Sequence, residues 1–180
     1  MPNWVYNTVT LEGKLPLVRR VRDKLASPVA ESGEVNPFSF WNIVHPKDSE
    51  MEDYRATIGW SKEHSDWKDH NDPTNWYQWN IRNWGCKWDS CNTEVTSPLA
   101  VNKDKATDEM IATVTYSFET PWSPPTEALT ALSKKYPRLT IRHYFEEEQG
   151  WGGEGYFQGG LLYVEREWDI SAYEEEEVSI

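Results

Sequence analysis

The feature that most constrains the fold of this 180-residue sequence is the run from residue 110 to residue 168, where the spacing of apolar side chains changes period twice. Ile111, Val114 and Tyr116 follow, with some slippage, the two-residue period of a half-buried strand over 110–118. Residues 123–136 then switch to helical spacing. Leu129, Leu132 and Tyr136 share a face, Ser123 can cap the start, Pro124 falls where a first-turn proline forfeits no hydrogen bond, and Pro137 prevents continuation. Leu139, Ile141, Tyr144, Leu161 and Tyr163 return to the strand period, in two strands joined by a glycine-rich turn around 150–160. A strand, helix, strand, strand order makes at least half of a split βαβ layer. The expected class is therefore α+β: a ferredoxin-like antiparallel sheet with helices on one face, because their apolar stripes need a common surface to cover.

The rest of the chain supplies further parts. Residues 3–11 alternate Val5, Val9 and Leu11 against Trp4, Tyr6, Thr8 and Thr10, a strand with one aliphatic and one aromatic-polar face. Residues 15–25 place Val18, Val21 and Leu25 on one helical stripe, with Lys14, Arg19, Arg20, Arg22 and Lys24 around the other sides. A loop over 27–36 precedes an expected aromatic strand at 38–44 closed by Pro46. Residues 48–72 are polar and weakly patterned, and read as an insertion. Asp72 and Pro73 then suit the start of a helix over 73–84, with Tyr77, Ile81 and Trp84 on one face and Gly85 as its left-handed end. A strand over 87–95 and a charged linker over 98–108 lead into the run described first. The organisation expected is one domain over 1–170, with the insertion at 48–72, and an acidic tail at 171–180.

Charge is unevenly spread. Of a net charge of −12, all but two units come from residues 145–180, which carry eleven acidic side chains and one arginine. Such a distribution opposes a general phosphate-binding surface and favours a basic partner, so direct nucleic-acid binding is not expected. The basic helix 15–25 is the one element that could serve a nucleic-acid-binding module. No apolar run approaches the roughly 20 residues needed to span a bilayer, strand-like alternation stands where a signal peptide would, and two cysteines make no disulfide framework. The expectation is a soluble cytoplasmic protein without a membrane partner.

Catalytic machinery is not visible: there is no nucleophile elbow, phosphate-binding glycine loop or HExxH helix. His64, His70, Cys86 and Cys91 could converge on zinc, but neither pair has the close spacing of a finger or ribbon, so no metal and no cofactor is expected. Glu146, Glu147, Glu148 and Glu154 bracket a Gly-Trp-Gly-Gly stretch, and carboxylates beside an aromatic ring are used by glycosidases and by cation sites. Consecutive residues of a strand face opposite ways, so Glu146 and Glu148 can act together while Glu147 cannot join them. A hairpin tip held open by glycines is the structural reading, and a binding loop the functional one.

Two strings carry a resemblance. Trp76-Tyr77-Gln78-Trp79 leading into Asn83-Trp84-Gly85-Cys86-Lys87-Trp88-Asp89, and Phe118-Glu119-Thr120-Pro121-Trp122-Ser123-Pro124-Pro125 followed by Leu132-Ser133-Lys134-Lys135-Tyr136-Pro137, resemble the YubB-like ferredoxin-fold family of phage and plasmid accessory proteins. The resemblance covers about residues 36–165 and implies the fold and a mobile-element origin, with no catalytic residues to transfer. Together these readings predict non-catalytic binding of a host or phage protein with a basic surface, used to inhibit host defence. The binding residues expected are Glu146, Glu148, Trp151, Glu154 and Tyr156 with the tail acids Glu174, Glu175, Glu176 and Glu177. The alternative is a metal-assisted hydrolase built on the 146–154 loop or the His and Cys set.

Overall fold

The structure is a computed structural model that describes residues 2–29, 33–63 and 75–169, with 59–63 as backbone. In chain order the elements are β1 (Trp4–Lys14), α1 (Leu15–Leu25), α2 (Asp48–Glu63), α3 (Trp76–Trp84), β2 (Cys91–Lys103), β3 (Met110–Pro121), α4 (Thr126–Lys135), β4 (Thr140–Glu147), β5 (Trp151–Gln158) and β6 (Leu161–Asp169). The strands form one antiparallel sheet in the order β2-β3-β1-β4-β5-β6. Its first four strands, with α1 and α4, have the split βαβ connectivity of a ferredoxin-like fold, and the hairpin β5-β6 widens the sheet beyond β4.

The core lies on one side of that sheet. Val9, Leu11, Val114, Tyr116, Phe118, Ile141 and Phe157 meet Val18, Val21 and Leu25 of α1 and Leu129 and Leu132 of α4, all buried. Helix α3 packs on α4, and α2 on α3. Trp76, Trp79 and Trp84 are buried core residues, as their helical placement suggests, with Trp79 against Tyr54 and Trp84 against Phe40. The buried face of α3 is completed by Asn80, while Tyr77 and Ile81 flank it half-buried.

Several boundaries differ from the sequence reading, each for a physical reason. Residues 38–44 form turns instead of a strand. The half-buried Asp89 accepts hydrogen bonds on its carboxylate from Phe40 N (2.6 Å), Ser39 Oγ (2.8 Å) and Trp41 N (3.3 Å), so these groups have no need of a ladder neighbour. Phe38 and Phe40 both enter the core from that looped backbone. The expected linker at 98–108 begins as strand: β2 continues through Pro98 to Lys103, because it is an edge strand and its register slips on either side of Ser97. Within the polar, weakly patterned stretch expected as an insertion, residues 48–63 form the helix α2. Asn75 caps α3, its Oδ1 accepting from Gln78 N at 2.8 Å, whereas Asp72 and Pro73 lie outside the described residues. Ser123 does not cap α4. Its hydroxyl donates instead to the Gly85 carbonyl at 2.6 Å, and the helix starts at Thr126. Gly85 has φ +85° and lies against the first turn of α4, where a Cβ would come within 3.2 Å of Thr126 N and Glu127 N.

The glycine-rich stretch is itself a strand. β5 has the sequence WGGEGYFQ, and Gly152, Gly153 and Gly155 are built into its pairing with β4 and β6. A Cβ at Gly155 would run into the Tyr163 carbonyl oxygen, and one at Gly152 into that of Phe145. Close backbone approach, not turn formation, is what requires glycine there.

Candidate functional site

The side of the sheet away from the helices has no cover among the described residues. Strand registry arranges its side chains in three transverse rows, since residues directly opposite each other share a face. One row runs Glu119, Tyr6, Glu146, Gly152 and Trp168; the next Ser117, Thr8, Tyr144, Glu154 and Arg166; the third Thr115, Thr10, Arg142, Tyr156 and Tyr163. This is the aromatic-polar face that the alternation of β1 pointed to, continued across five strands.

Aromatic side chains stack along it. Tyr156 and Tyr163 lie parallel at 4.8 Å between centroids, and Tyr144 and Trp168 are 5.4 Å apart. Gly152 makes the second contact possible, because a Cβ there would meet the Trp168 ring at 2.6 Å. Both arginines of the face are already engaged within it. Arg166 pairs with Glu154 at 3.1 Å and sits over the Trp168 ring, while Arg142 approaches Glu165 at 3.8 Å and the Tyr156 ring at 6.0 Å.

At the Tyr6 end the carboxylates are without such partners. Glu146 accepts from Tyr144 Oη (2.8 Å), Glu148 from Tyr6 Oη (3.4 Å) and Glu119 from Asn92 Nδ2 (2.8 Å). No cation lies within ion-pair distance of these three among the described residues. The hydrogen bond to Glu146 pushes the Tyr144 phenol above its ordinary value; desolvation and the nearby Glu148 charge do the same for Tyr6. Both phenols thus remain protonated donors holding the carboxylates in place.

The residues expected from sequence do not all gather here. Glu146, Glu154 and Tyr156 stand on the open face, and Glu148 joins them from the turn after β4. Glu147 points to the other side and is buried, its Oε2 accepting from Gln149 N at 2.6 Å. Trp151 is also on the helix side, with its ring against Phe145 at 5.8 Å, so it cannot share an interface with Tyr156. Glu174, Glu175, Glu176 and Glu177 lie outside the described residues, as do His64 and His70. Burial pushes the Cys86 thiol well above its ordinary value and, less strongly, that of Cys91. Among the described residues no three His, Cys, Asp or Glu side chains converge as a metal site. The cations of α1 belong to the helix layer, opposite the aromatic rows. Tyr6, Arg142, Tyr144, Arg166 and Trp168 were not picked out as a site from sequence; their common signal is the even phase of each strand, which becomes readable once the registers are known.

Residues 100–180 match the model of a family described as the ferredoxin-like domain in Api92-like protein. The domain type is thus ferredoxin-like, α+β. The crystal structure of protein api92 from Yersinia pseudotuberculosis superposes with a TM-score of 0.52 at 10% sequence identity, covering 94% of this chain and 99% of that one. At that identity the likeness speaks for the fold alone. A search of curated proteins finds no match. No helix among the described residues is long and apolar enough to cross a membrane, which leaves β-barrel insertion unaddressed.

Proposed function

We propose that the protein acts by non-catalytic binding, presenting the open face of its sheet to a basic surface on a partner protein in the cytoplasm. The observation that carries this reading is the group Glu119, Glu146 and Glu148 around Tyr6, the first two half-buried and the third exposed, carboxylates held by neutral donors and lacking a cation of their own among the described residues. Lys or Arg side chains of a partner would supply it. The adjacent Tyr144, Tyr156, Tyr163 and Trp168 would provide contact area, since large aromatics dominate interface energy while charges at the rim mainly set the association rate. The same carboxylates oppose a nucleic-acid backbone on a face otherwise suited to stacking bases. The resemblance to phage and plasmid accessory proteins supports a use for such binding: occupation of a host defence protein by an acidic surface.

The test is affinity capture from cells carrying the gene, comparing wild type with the triple variant Glu119→Gln, Glu146→Gln, Glu148→Gln and with Tyr144→Ala. A partner captured by wild type should be lost with the triple variant, and its association should slow as salt shortens the Debye length to about 8 Å. Capture that survives both variants at every ionic strength would remove this face from consideration.

A further inference from the structure

On the helix side of β5 lies a cavity of about 200 Å³. His143 and Phe145 of β4, Phe157 of β5, Leu162 and Val164 of β6 and Thr126 at the first turn of α4 line it. Gly153 and Gly155 form part of its wall and put no side chain into it, so the space follows from the same glycines that let β5 approach its neighbours.

What separates this cavity from a packing fault is the imidazole in its wall. His143 is 6% exposed, and its one hydrogen bond joins Nε2 to Asn7 Oδ1 at 2.9 Å. Asn7 is oriented by its other contacts: Nδ2 donates to the Val5 carbonyl at 2.9 Å and to Thr120 Oγ1 at 3.0 Å, which leaves Oδ1 as an acceptor. His143 Nε2 must therefore carry the proton, and Nδ1 presents a lone pair with no partner among the described residues. The ring stacks on Phe145 at 5.2 Å and lies 6.1 Å from Phe157, in surroundings that hold it neutral. A lone pair without a protein partner can accept from a ligand entering the cavity, and the rings around it supply an apolar seat.

We propose that this cavity binds a small uncharged aromatic molecule bearing one hydrogen-bond donor, its N–H or O–H meeting His143 Nδ1 and its ring lying among Phe145, Phe157 and Leu162. The size fits a single ring or a fused pair, since an apolar cavity of about 150 Å³ accepts benzene. An anionic ligand would face the Glu167 carboxylate with Arg166 already paired to Glu154, and a cationic one would lose its hydration among Phe145, Phe157 and Leu162.

Phenol, indole and toluene are the probes, titrated into the full-length ¹⁵N-labelled protein. Phenol and indole should give saturable shifts at the His143 ring nitrogens and at the Gly153 and Gly155 amides. Toluene, of phenol's shape but without the donor, should bind about tenfold more weakly. Val164→Trp fills the mouth from a position 55% exposed, so it should abolish binding while leaving the thermal midpoint nearly unchanged. His143→Phe should bring phenol down to the level of toluene. The proposal fails if no probe saturates up to its solubility, which would mean the lone pair serves water only. It fails equally if phenol and toluene bind alike, or if Val164→Trp binds as wild type does.

Discussion

Acidification should unfold this protein through His143, and the size of the effect can be worked from its surroundings. Burial lowers the His143 pKa from 6.5 to about 3, and the charged groups sharing its cavity are Glu154, Arg166 and Glu167. An unfolded chain takes up the proton near pH 6.5 while the folded one refuses it until about pH 3. Between those values the unfolded state binds more protons, so the contribution is fully present above pH 6.5 and is lost as pH falls towards 3. Linkage then gives a loss of about 2 kcal/mol between pH 7.5 and pH 5, at about 1.4 kcal/mol for each further unit. The figure for pH 5 barely depends on where the folded value lies, provided it is well below 5. The control is His143→Gln, whose amide can still donate to Asn7 but does not titrate. Other groups cancel in the comparison, including Asp89, whose desolvation raises its pKa and gives the opposite sign. Urea unfolding followed by tryptophan fluorescence at pH 7.5, 6 and 5 should show the advantage of wild type over His143→Gln shrinking by about 2 kcal/mol. A constant difference, or one that grows on acidification, would refute the neutral, buried imidazole and with it the lone pair at Nδ1.

Three further outcomes are expected. Phe38→Ala should cost about 3–5 kcal/mol in chemical unfolding despite lying in a turn, because the ring is fully buried against Phe40, Tyr116 and Phe118. Gly155→Ala should lower the thermal midpoint by at least about 3 °C, since the new methyl group meets the Tyr163 backbone and the strand pair must shift. The Glu119, Glu146, Glu148 triple Gln variant should unfold within about 0.5 kcal/mol of wild type, so that its loss of binding cannot be blamed on folding.

Legibility in the sequence followed the strength of local signals. Helix α1 emerged with its boundaries because Pro16, the Val18-Val21-Leu25 stripe and the following Ala-Ser-Pro all agree. Gly85 likewise announced its left-handed conformation. The Phe38 segment misled because its aromatic alternation is satisfied by Asp89, a partner 49 residues away from Phe40. The strand β5 hid behind its glycines, which ordinarily mark turns; only the crowding by Phe145, Tyr163 and Trp168 explains them, and that is a tertiary fact. For the same reason Trp151 was grouped with Tyr156. With 151–158 read as a turn, nothing indicated that an odd and an even residue of one strand must part to opposite faces. The acidic character of the site was visible in composition, but the Tyr6 phenol that holds Glu148 depends on the pairing of strands more than a hundred residues apart, whereas Tyr144 holds Glu146 within β4 itself.

The two proposed sites lie on opposite sides of the sheet and share strands β4, β5 and β6, and whether they would respond to each other depends on a few residues. The even positions of β5 carry Glu154 and Tyr156 to the open face, while Gly153 and Gly155 border the cavity. The irregularity between Glu154 and Gly155 sets Glu165 and Arg166 in succession on β6, and they pair with Arg142 and Glu154. Glu154 and Arg166 thus stand in the second row of the face and also in the cavity wall. A substitution at either would disturb both sites, and its effects on the two kinds of binding would not separate. Glu119, Glu146 and Glu148 line no part of the cavity, and Val164 belongs to none of the three rows. Changes at separated sites without shared partners combine additively. Combining the glutamate changes with Val164→Trp should therefore give the sum of two independent losses. A departure from that sum would mean that the β5-β6 pair itself has two arrangements, each favoured by one of the ligands.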